Sequence, residues 1–382
     1  MKYRQFGSLD WKASALGFGV MRLPVLDNDS GKINEPLATD MIRHAIDSGV
    51  NYMDTAYPYH EEQSEPFLAK VLKDGYRNKV KLATKMPSWL VKEAADFDRL
   101  LEEQLRRLDV EYVDFYLLHA LNAHHWENYQ KLDVFSWAEK KMSEGLFKHL
   151  CFSFHDDYAV FEKIVNGYDN WTMAQIQYNY MDVNYQAGTK GLKLAADKGL
   201  AVVVMEPLRG GRLAKNPAPP QVEAIWARSE YDWSPAAWAL QWVWNQPGVS
   251  TVLSGMSTMQ QVEENLETAS SSGIGILKEE DLALVGEVRK AYESIAPIPC
   301  TQCEYCLPCP NGVAIPRIFE VYNEAIMYDE YDGARWAYMN QIKPEARADH
   351  CIECGECEAA CPQSIEIIDW LAKAHEVLKE PQ

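Results

Sequence analysis

Eight of the nine cysteines fall in two short runs, Cys300-x-x-Cys303-x-x-Cys306-x-x-Cys309-Pro310 and Cys351-x-x-Cys354-x-x-Cys357-x-x-x-Cys361-Pro362. Three thiolates at CxxCxxC spacing wrap three corners of an iron–sulfur cubane, and the cysteine before proline is then free to ligate the other cluster. The doubled run predicts two [4Fe-4S] clusters, one on Cys300, Cys303, Cys306 and Cys361 and the other on Cys351, Cys354, Cys357 and Cys309. Zinc is the alternative ligand, but it is satisfied by two CxxC pairs, whereas each run supplies three closely spaced thiols and then a Cys-Pro. The first run is one residue short before Cys309, so a single-cluster arrangement stays open. Cys151 stands apart and is expected to be a small buried residue.

A second set of reactive side chains closes three apolar segments: Asp54-Thr55-Ala56-Tyr57-Pro58-Tyr59, Ala83-Thr84-Lys85 and Leu117-Leu118-His119. Reduction of a carbonyl by hydride needs a proton donor at the oxygen, and a phenol is a poor acid at neutral pH unless a nearby cation favours the phenolate. Lys85 would supply that cation, Asp54 would hold the ammonium by an ion pair, and His119 would donate a second hydrogen bond to the carbonyl. Taken singly, each residue is more simply a solvated ion pair, a half-buried ring or a satisfied core histidine. Four complementary groups at the ends of three successive strands favour the chemical reading.

These groups need elements that bring them together. Up to about residue 270, short β-branched or aromatic runs alternate with amphipathic segments, the pattern of repeated βα units. The predicted strands are Ala15 to Gly19, Asn51 to Asp54, Lys79 to Thr84, Tyr112 to Leu118, Leu146 to Ser153, Met173 to Gln177, Ala201 to Met205 and Val249 to Leu253. Helices are predicted at Ala38 to Ser48, Phe97 to Leu108 and Lys278 to Ser294. Eight such units close into a parallel (β/α)8 TIM barrel of ~250 residues, with its chemistry on the loops at the C-terminal ends of the strands. Two prolines in Ala296-Pro297-Ile298-Pro299 oppose helix continuation, which divides the chain into a barrel over 1–296 and a small, mainly α-helical domain over 297–382. In the second domain helices are expected from Pro316 to about Ile342 and from Ile367 to Leu378.

The net charge of −19 repels phosphate backbones and anionic lipid, so neither nucleic acid nor a membrane surface is an expected partner. No stretch is long and apolar enough to span a bilayer, and the first residues lack an export signal, so a cytoplasmic protein is expected. A reducing cytoplasm also favours metal ligation over disulfides for the clustered cysteines.

The set Asp54, Tyr59, Lys85 and His119, with the opening segment Leu16-Gly17-Phe18-Gly19-Val20-Met21, resembles the aldo-keto reductases over the chain from its start to about residue 270. The resemblance implies Tyr59 as general acid, Lys85 as its activator, Asp54 as partner of the lysine and His119 as the group that orients substrate. It also implies a nicotinamide site. Ser153 and Gln175 match the residues that hold the carboxamide, Met205 stands where an aromatic residue usually stacks on the ring, and Glu264 and Asn265 match the adenine contacts. Phe154 replaces an expected asparagine, and Gly255 and Gln261 replace a lysine and an arginine that commonly grip a 2′-phosphate, which favours NADH over NADPH. Arg209 or Arg212 would be able to compensate. The cysteine module resembles the helical two-cluster ferredoxin domains, as in the iron–sulfur branch of the same family.

Trp89, His124, His125, Trp126, His155 and Tyr180 follow strands three to six and are candidates to line a substrate pocket for a small carbonyl or alcohol. Nicotinamide passes two electrons as one hydride while a cluster normally passes one, so a flavin or an electron-transfer protein would have to mediate, and no flavin motif is evident. The sequence thus predicts a nicotinamide-dependent carbonyl/alcohol oxidoreductase with an attached electron-transfer module. The alternative is a redox-sensing or electron-carrying subunit whose barrel turns over little substrate.

Overall fold

The computed structural model describes residues 1–300 and 302–379. Its backbone forms ten strands: β1 (Tyr3–Gln5), β2 (Lys12–Ser14), β3 (Leu16–Gly19), β4 (Tyr52–Asp54), β5 (Lys81–Met86), β6 (Val113–Leu121), β7 (Phe147–Phe154), β8 (Met173–Gln177), β9 (Ala201–Met205) and β10 (Val249–Gly255). Strands β3 to β10 close into a parallel barrel in sequence order, with β10 pairing β3. All eight predicted barrel strands form. The third starts at Lys81 rather than Lys79, because Tyr76–Lys79 winds into a 3-10 turn.

Alternation along a strand decides which side chains enter the ring. The residues Tyr52, Ala83, Leu117, Cys151, Met173 and Val203 belong to one buried cluster inside the barrel. Their outward neighbours, among them Met53, Leu82, Leu118, Phe152, Ala174 and Val204, join the larger core that packs under the helices. Those helices bury the faces that the 3.6-residue periodicity implies: Met41, Ile42 and Ala45 of Glu35–Asp47, and Leu100, Leu101 and Leu108 of Ala95–Leu108. Cys151, fully buried, is a barrel-interior residue.

The hairpin β1–β2 was not foreseen. It closes the N-terminal end of the barrel: Phe6 contacts Trp11 and Phe115 at ring-centroid distances of 5.1 and 4.9 Å. Arg4 donates to the carbonyls of Trp244, Gln246 and Val249 at 2.6 to 2.7 Å. Gly7 is required there, because its φ is +54° and a Cβ would lie 2.4 Å from the Ala201 nitrogen.

Contacts divide the chain into two compact units, Met1–Ala214 with Trp233–Leu282, and Lys215–Asp232 with the chain from Ala283 onward. In the second unit, helices Ile315–Met327, Tyr331–Asn340 and Ile367–Leu378 share a core built on Ile318, Phe319, Tyr338 and Leu371. The single helix expected from Pro316 to about Ile342 is therefore two. Asp329 takes a left-handed φ of 45°, and the Glu330 side chain caps the next helix by accepting from Gly333 N at 2.8 Å. Among the described residues, no helix is long and apolar enough to cross a membrane.

Candidate functional site

The same alternation that fills the barrel sets its rim. Asp54, Lys85, His119, Ser153, Gln175 and Met205 each lie two positions beyond an inward-facing residue, so their side chains emerge on the inner side at the C-terminal strand ends. Lys85 Nζ donates to Asp54 Oδ1 at 2.5 Å, to Thr55 O at 2.8 Å and to Tyr59 OH at 3.4 Å. Gln175 Nε2 donates to Asp54 Oδ2 at 3.0 Å. The Tyr59 and His119 rings meet edge-on, with centroids 6.2 Å apart. The four expected catalytic residues thus form one constellation.

Its electrostatics are those of a buried pair. Burial alone would lower the Lys85 ammonium, but Asp54 and Tyr59 outweigh it and hold its pKa above the ordinary value. Burial raises Asp54, with Lys85 and Gln175 opposing. Burial also raises the Tyr59 phenol, with Lys85 pulling the other way, so the hydroxyl is protonated at neutral pH. His119 is driven far below its ordinary value by burial and then by Lys85, which makes it a neutral ring. Its Nδ1 is buried without a hydrogen-bond partner, as is Gln175 Oε1. A neutral donor ring, a protonated phenol beside a cation and an unused amide oxygen can together receive a polar ligand.

Tyr59 sits on a loop that the sequence pattern did not explain. His60, Glu61 and Glu62 all adopt left-handed φ, and the His60 ring pins the turn by accepting from Leu23 N at 3.1 Å and facing Ser30 O at 2.8 Å. An accepting Nε2 requires the proton on Nδ1, consistent with a His60 pKa lowered by burial. Behind Lys85 lies a second unforeseen group. Gln104 Nε2 donates to Lys85 O at 3.0 Å and to Glu65 Oε1 at 2.7 Å, and Thr84 Oγ1 donates to the same Glu65 oxygen at 2.6 Å.

The expected cofactor residues are more scattered. Ser153 Oγ accepts from Ala120 N at 2.8 Å. Phe154 faces outward and packs on Phe161, with centroids 5.0 Å apart, so it does not enter the mouth. Glu264 and Asn265 lie on the helix Met259–Ser270 after β10, where Glu264 accepts from Ser234 and Asn265 donates to Ser254 at 3.1 Å. Of the pocket candidates, Trp89 lies 5.1 Å from the His119 ring, and His125 and His155 are electrostatic neighbours of His119. Trp126 is a correction: it is fully buried and packs on Phe135 and Trp171 in the core. Tyr180 is likewise buried.

In the second unit, Cys300, Cys303, Cys306 and Cys361 line one small pocket with Ile315, Phe319 and Ile365. These are the four cysteines that the spacing assigns to one cluster. For the other set, Asn311 Nδ2 donates to His350 O at 2.6 Å and Ala314 N to Ala346 O at 2.9 Å, which ties the chain after Cys309 beside the chain before Cys351.

Residues 15–282 match the profile of the aldo/keto reductase family. The chain belongs to the aldo/keto reductase family. Residues 299–366 match a 4Fe-4S dicluster domain, so this oxidoreductase carries a C-terminal iron–sulfur module. The NADH-specific methylglyoxal reductase of Escherichia coli (strain K12) is 22% identical over 339 residues, 77% of this chain and 100% of that protein. A probable aldo-keto reductase of Glycine max is 32% identical over 130 residues, 31% of this chain and only 36% of the relative. Among solved structures, the apo form of an aldo-keto reductase from Bacillus halodurans is similar at 26% identity and a TM-score of 0.60, covering 75% of this chain and 96% of that one. An aldo-keto reductase from Klebsiella pneumoniae in complex with NADPH shares the fold at 22% identity and a TM-score of 0.61, covering 76% of this chain and 96% of that one.

Proposed function

We propose that this aldo/keto reductase interconverts a carbonyl and an alcohol at the mouth of a barrel of residues 1–296 with a nicotinamide cofactor, and that residues 297–382 carry two [4Fe-4S] clusters as an electron-transfer module. The reading rests on one observation: the Lys85 ammonium touches both Asp54 and the Tyr59 hydroxyl.

Tyr59 is the proton donor to the substrate oxygen. Burial keeps it protonated beforehand, and Lys85 stabilises the phenolate left afterwards. Asp54 keeps the ammonium charged and aimed. His119, neutral, donates a hydrogen bond that orients the carbonyl. Ser153, Gln175, Met205, Glu264 and Asn265 would hold the dinucleotide, which supplies or accepts hydride when bound. The unused, buried Oε1 of Gln175 suits a carboxamide N–H. NADH is favoured over NADPH, since Gly255 carries no side chain and Gln261 is spent accepting from Ser257 N at 2.7 Å. The name of the Escherichia coli relative supports the same preference.

In the module, Cys300, Cys303, Cys306 and Cys361 would hold one cluster and Cys351, Cys354, Cys357 and Cys309 the other, each supplying one-electron chemistry. A protein partner rather than the nicotinamide is the direct electron donor or acceptor, because hydride transfer moves two electrons together. Titrating the holoprotein with NADH and NADPH tests the reading. We expect binding, and Tyr59→Phe should keep it while lowering carbonyl turnover by about 10²–10⁴. Failure of the wild type to bind either dinucleotide overturns the proposal.

A further inference from the structure

The two cysteine runs share a backbone conformation and differ in one polar side chain. The second residue after the leading cysteine is left-handed in both, Gln302 at φ 58° and Glu353 at 56°, and so is the fourth, Glu304 at 61° and Gly355 at 76°. At the first of these positions one run carries an amide and the other an acid. Gln302 Nε2 donates to Pro316 O at 3.1 Å and to Cys300 Sγ at 3.9 Å, so a carbonyl in the first turn of helix Ile315–Met327 holds the amide while its second hydrogen serves the sulfur. An ionised Glu353 has no hydrogen to give. Apolar burial does not separate the two sites, because Cys300, Cys306 and Cys361 pack against the same core as Cys309, Cys351 and Cys357. Acids stand near both. Glu304 lines the first pocket, and Glu320, an electrostatic neighbour of Cys300, is paired with Arg317 at 2.7 Å. Glu353, Glu356 and Glu358 lie within the second run, and Arg347, just before it, is taken up by the carbonyls of Met339 and Ile342.

We propose that Gln302 holds the cluster of Cys300, Cys303, Cys306 and Cys361 at a higher reduction potential than the cluster of Cys351, Cys354, Cys357 and Cys309, which Glu353 holds down; this rests on the two-cluster reading above. Reduction adds one negative charge to a group whose thiolate sulfurs already carry charge. An N–H directed at such a sulfur stabilises the reduced form more than the oxidised one, and a carboxylate beside it does the reverse. Because Pro316 O fixes the amide beforehand, little side-chain entropy is left to lose in keeping the bond to sulfur. Gln302 and Glu353 therefore act in the same direction, and an electron that enters the module settles on the first cluster before the second is reduced.

Potentiometric titration of the holoprotein at about pH 8, followed by spin resonance with iron measured on the same sample, tests the assignment. Two one-electron waves are expected. Gln302→Leu should lower the upper wave and leave the lower one in place, shifting the reduced-to-oxidised ratio of that cluster at a fixed potential by about three- to tenfold, where tenfold is about 59 mV. Glu353→Gln should raise the lower wave by a few-fold at most, since an exposed charge is screened. Exchanging the two residues, Gln302→Glu with Glu353→Gln, should narrow or reverse the gap. Gln302→Met serves if the leucine variant loses iron. Coincident waves in the wild type, or an upper wave that neither Gln302 variant moves, overturn the assignment. Iron for one cluster only removes the two-cluster reading itself, and this proposal with it.

Discussion

The barrel mouth and the cysteine cage both hold reactive atoms in position, but the chain provides for them unequally. At the mouth the groups stand on strand ends, and protein atoms answer their charges: Lys85 has Asp54 and Thr55 O, Asp54 has Gln175, and the Lys85 carbonyl has Gln104. In the cage, Cys300, Cys303 and Cys306 lie in irregular chain beside the left-handed Gln302 and Glu304, and Cys354 is flanked by the left-handed Glu353 and Gly355. Ordering such loops costs about 1–2 kcal/mol per residue, and no strand ladder offsets it. The mouth is held together by protein atoms alone, and we expect the cage to depend on bound iron for its order.

The largest expected effect follows directly. Removing iron anaerobically from the holoprotein should raise amide exchange in helices Ile315–Met327 and Ile367–Leu378 by at least ~10⁴-fold while leaving the barrel strands protected, because metal-ligand free energy is folding free energy. Should those helices stay protected without iron, the contrast between the two regions is wrong.

A smaller effect would show how self-sufficient the mouth is. Lys85→Met leaves Asp54 buried and uncompensated, which costs about 3–5 kcal/mol. Thermal melts of the holoprotein should show the barrel transition moving down while the absorbance of the iron–sulfur module is unchanged. A barrel that melts at the wild-type temperature would mean that the Lys85–Asp54 contact does not organise the rim.

Much of this was legible in the sequence because barrel strands are buried on both faces and read as short apolar runs. A reactive residue two positions past the last inward side chain then falls at the rim by alternation alone. That logic found Asp54, Lys85 and His119, whereas Ser153 and Gln175 came from the family resemblance. It missed β1 and β2, three residues each, too short to show a period. His60 was missed because its work is done in a left-handed turn that carries no pattern. Helix Pro316 to Ile342 was overextended, since Tyr328-Asp329-Glu330 contains neither proline nor glycine to mark the break. Glu65 did leave a trace. It shares a helical face with Leu68 and Leu72, three and seven positions on, so an acid stood where the pattern asks for an apolar residue.

That residue gives the mildest and most specific test of the mouth. Glu65 is fully buried, and desolvation raises its pKa to about 7, with hydrogen bonds from Thr84 and Gln104 and the charge of Arg107 opposing and Glu103 adding to the rise. Its unfolded value is the ordinary 4.5, so the folded state binds the proton more tightly than the unfolded one. Below pH ~4.5 the group is protonated in both states and costs nothing; as pH rises through the interval to about 7 the folded state loses stability relative to the unfolded, by a total on the order of 3 kcal/mol. Glu65→Gln removes the titration. The stability of the variant minus that of the wild type, from denaturant melts of the holoprotein between pH 4.5 and 8, should therefore climb with pH and level off above about 7. A difference that stays flat would mean that Glu65 is ionised throughout and that Arg107, 3.8 Å from its other oxygen, governs it instead. The support behind Lys85 would then be an ion pair, and the mouth would depend on charge from outside the barrel wall rather than on the neutral hydrogen-bond chain Tyr116–Gln104–Glu65–Thr84.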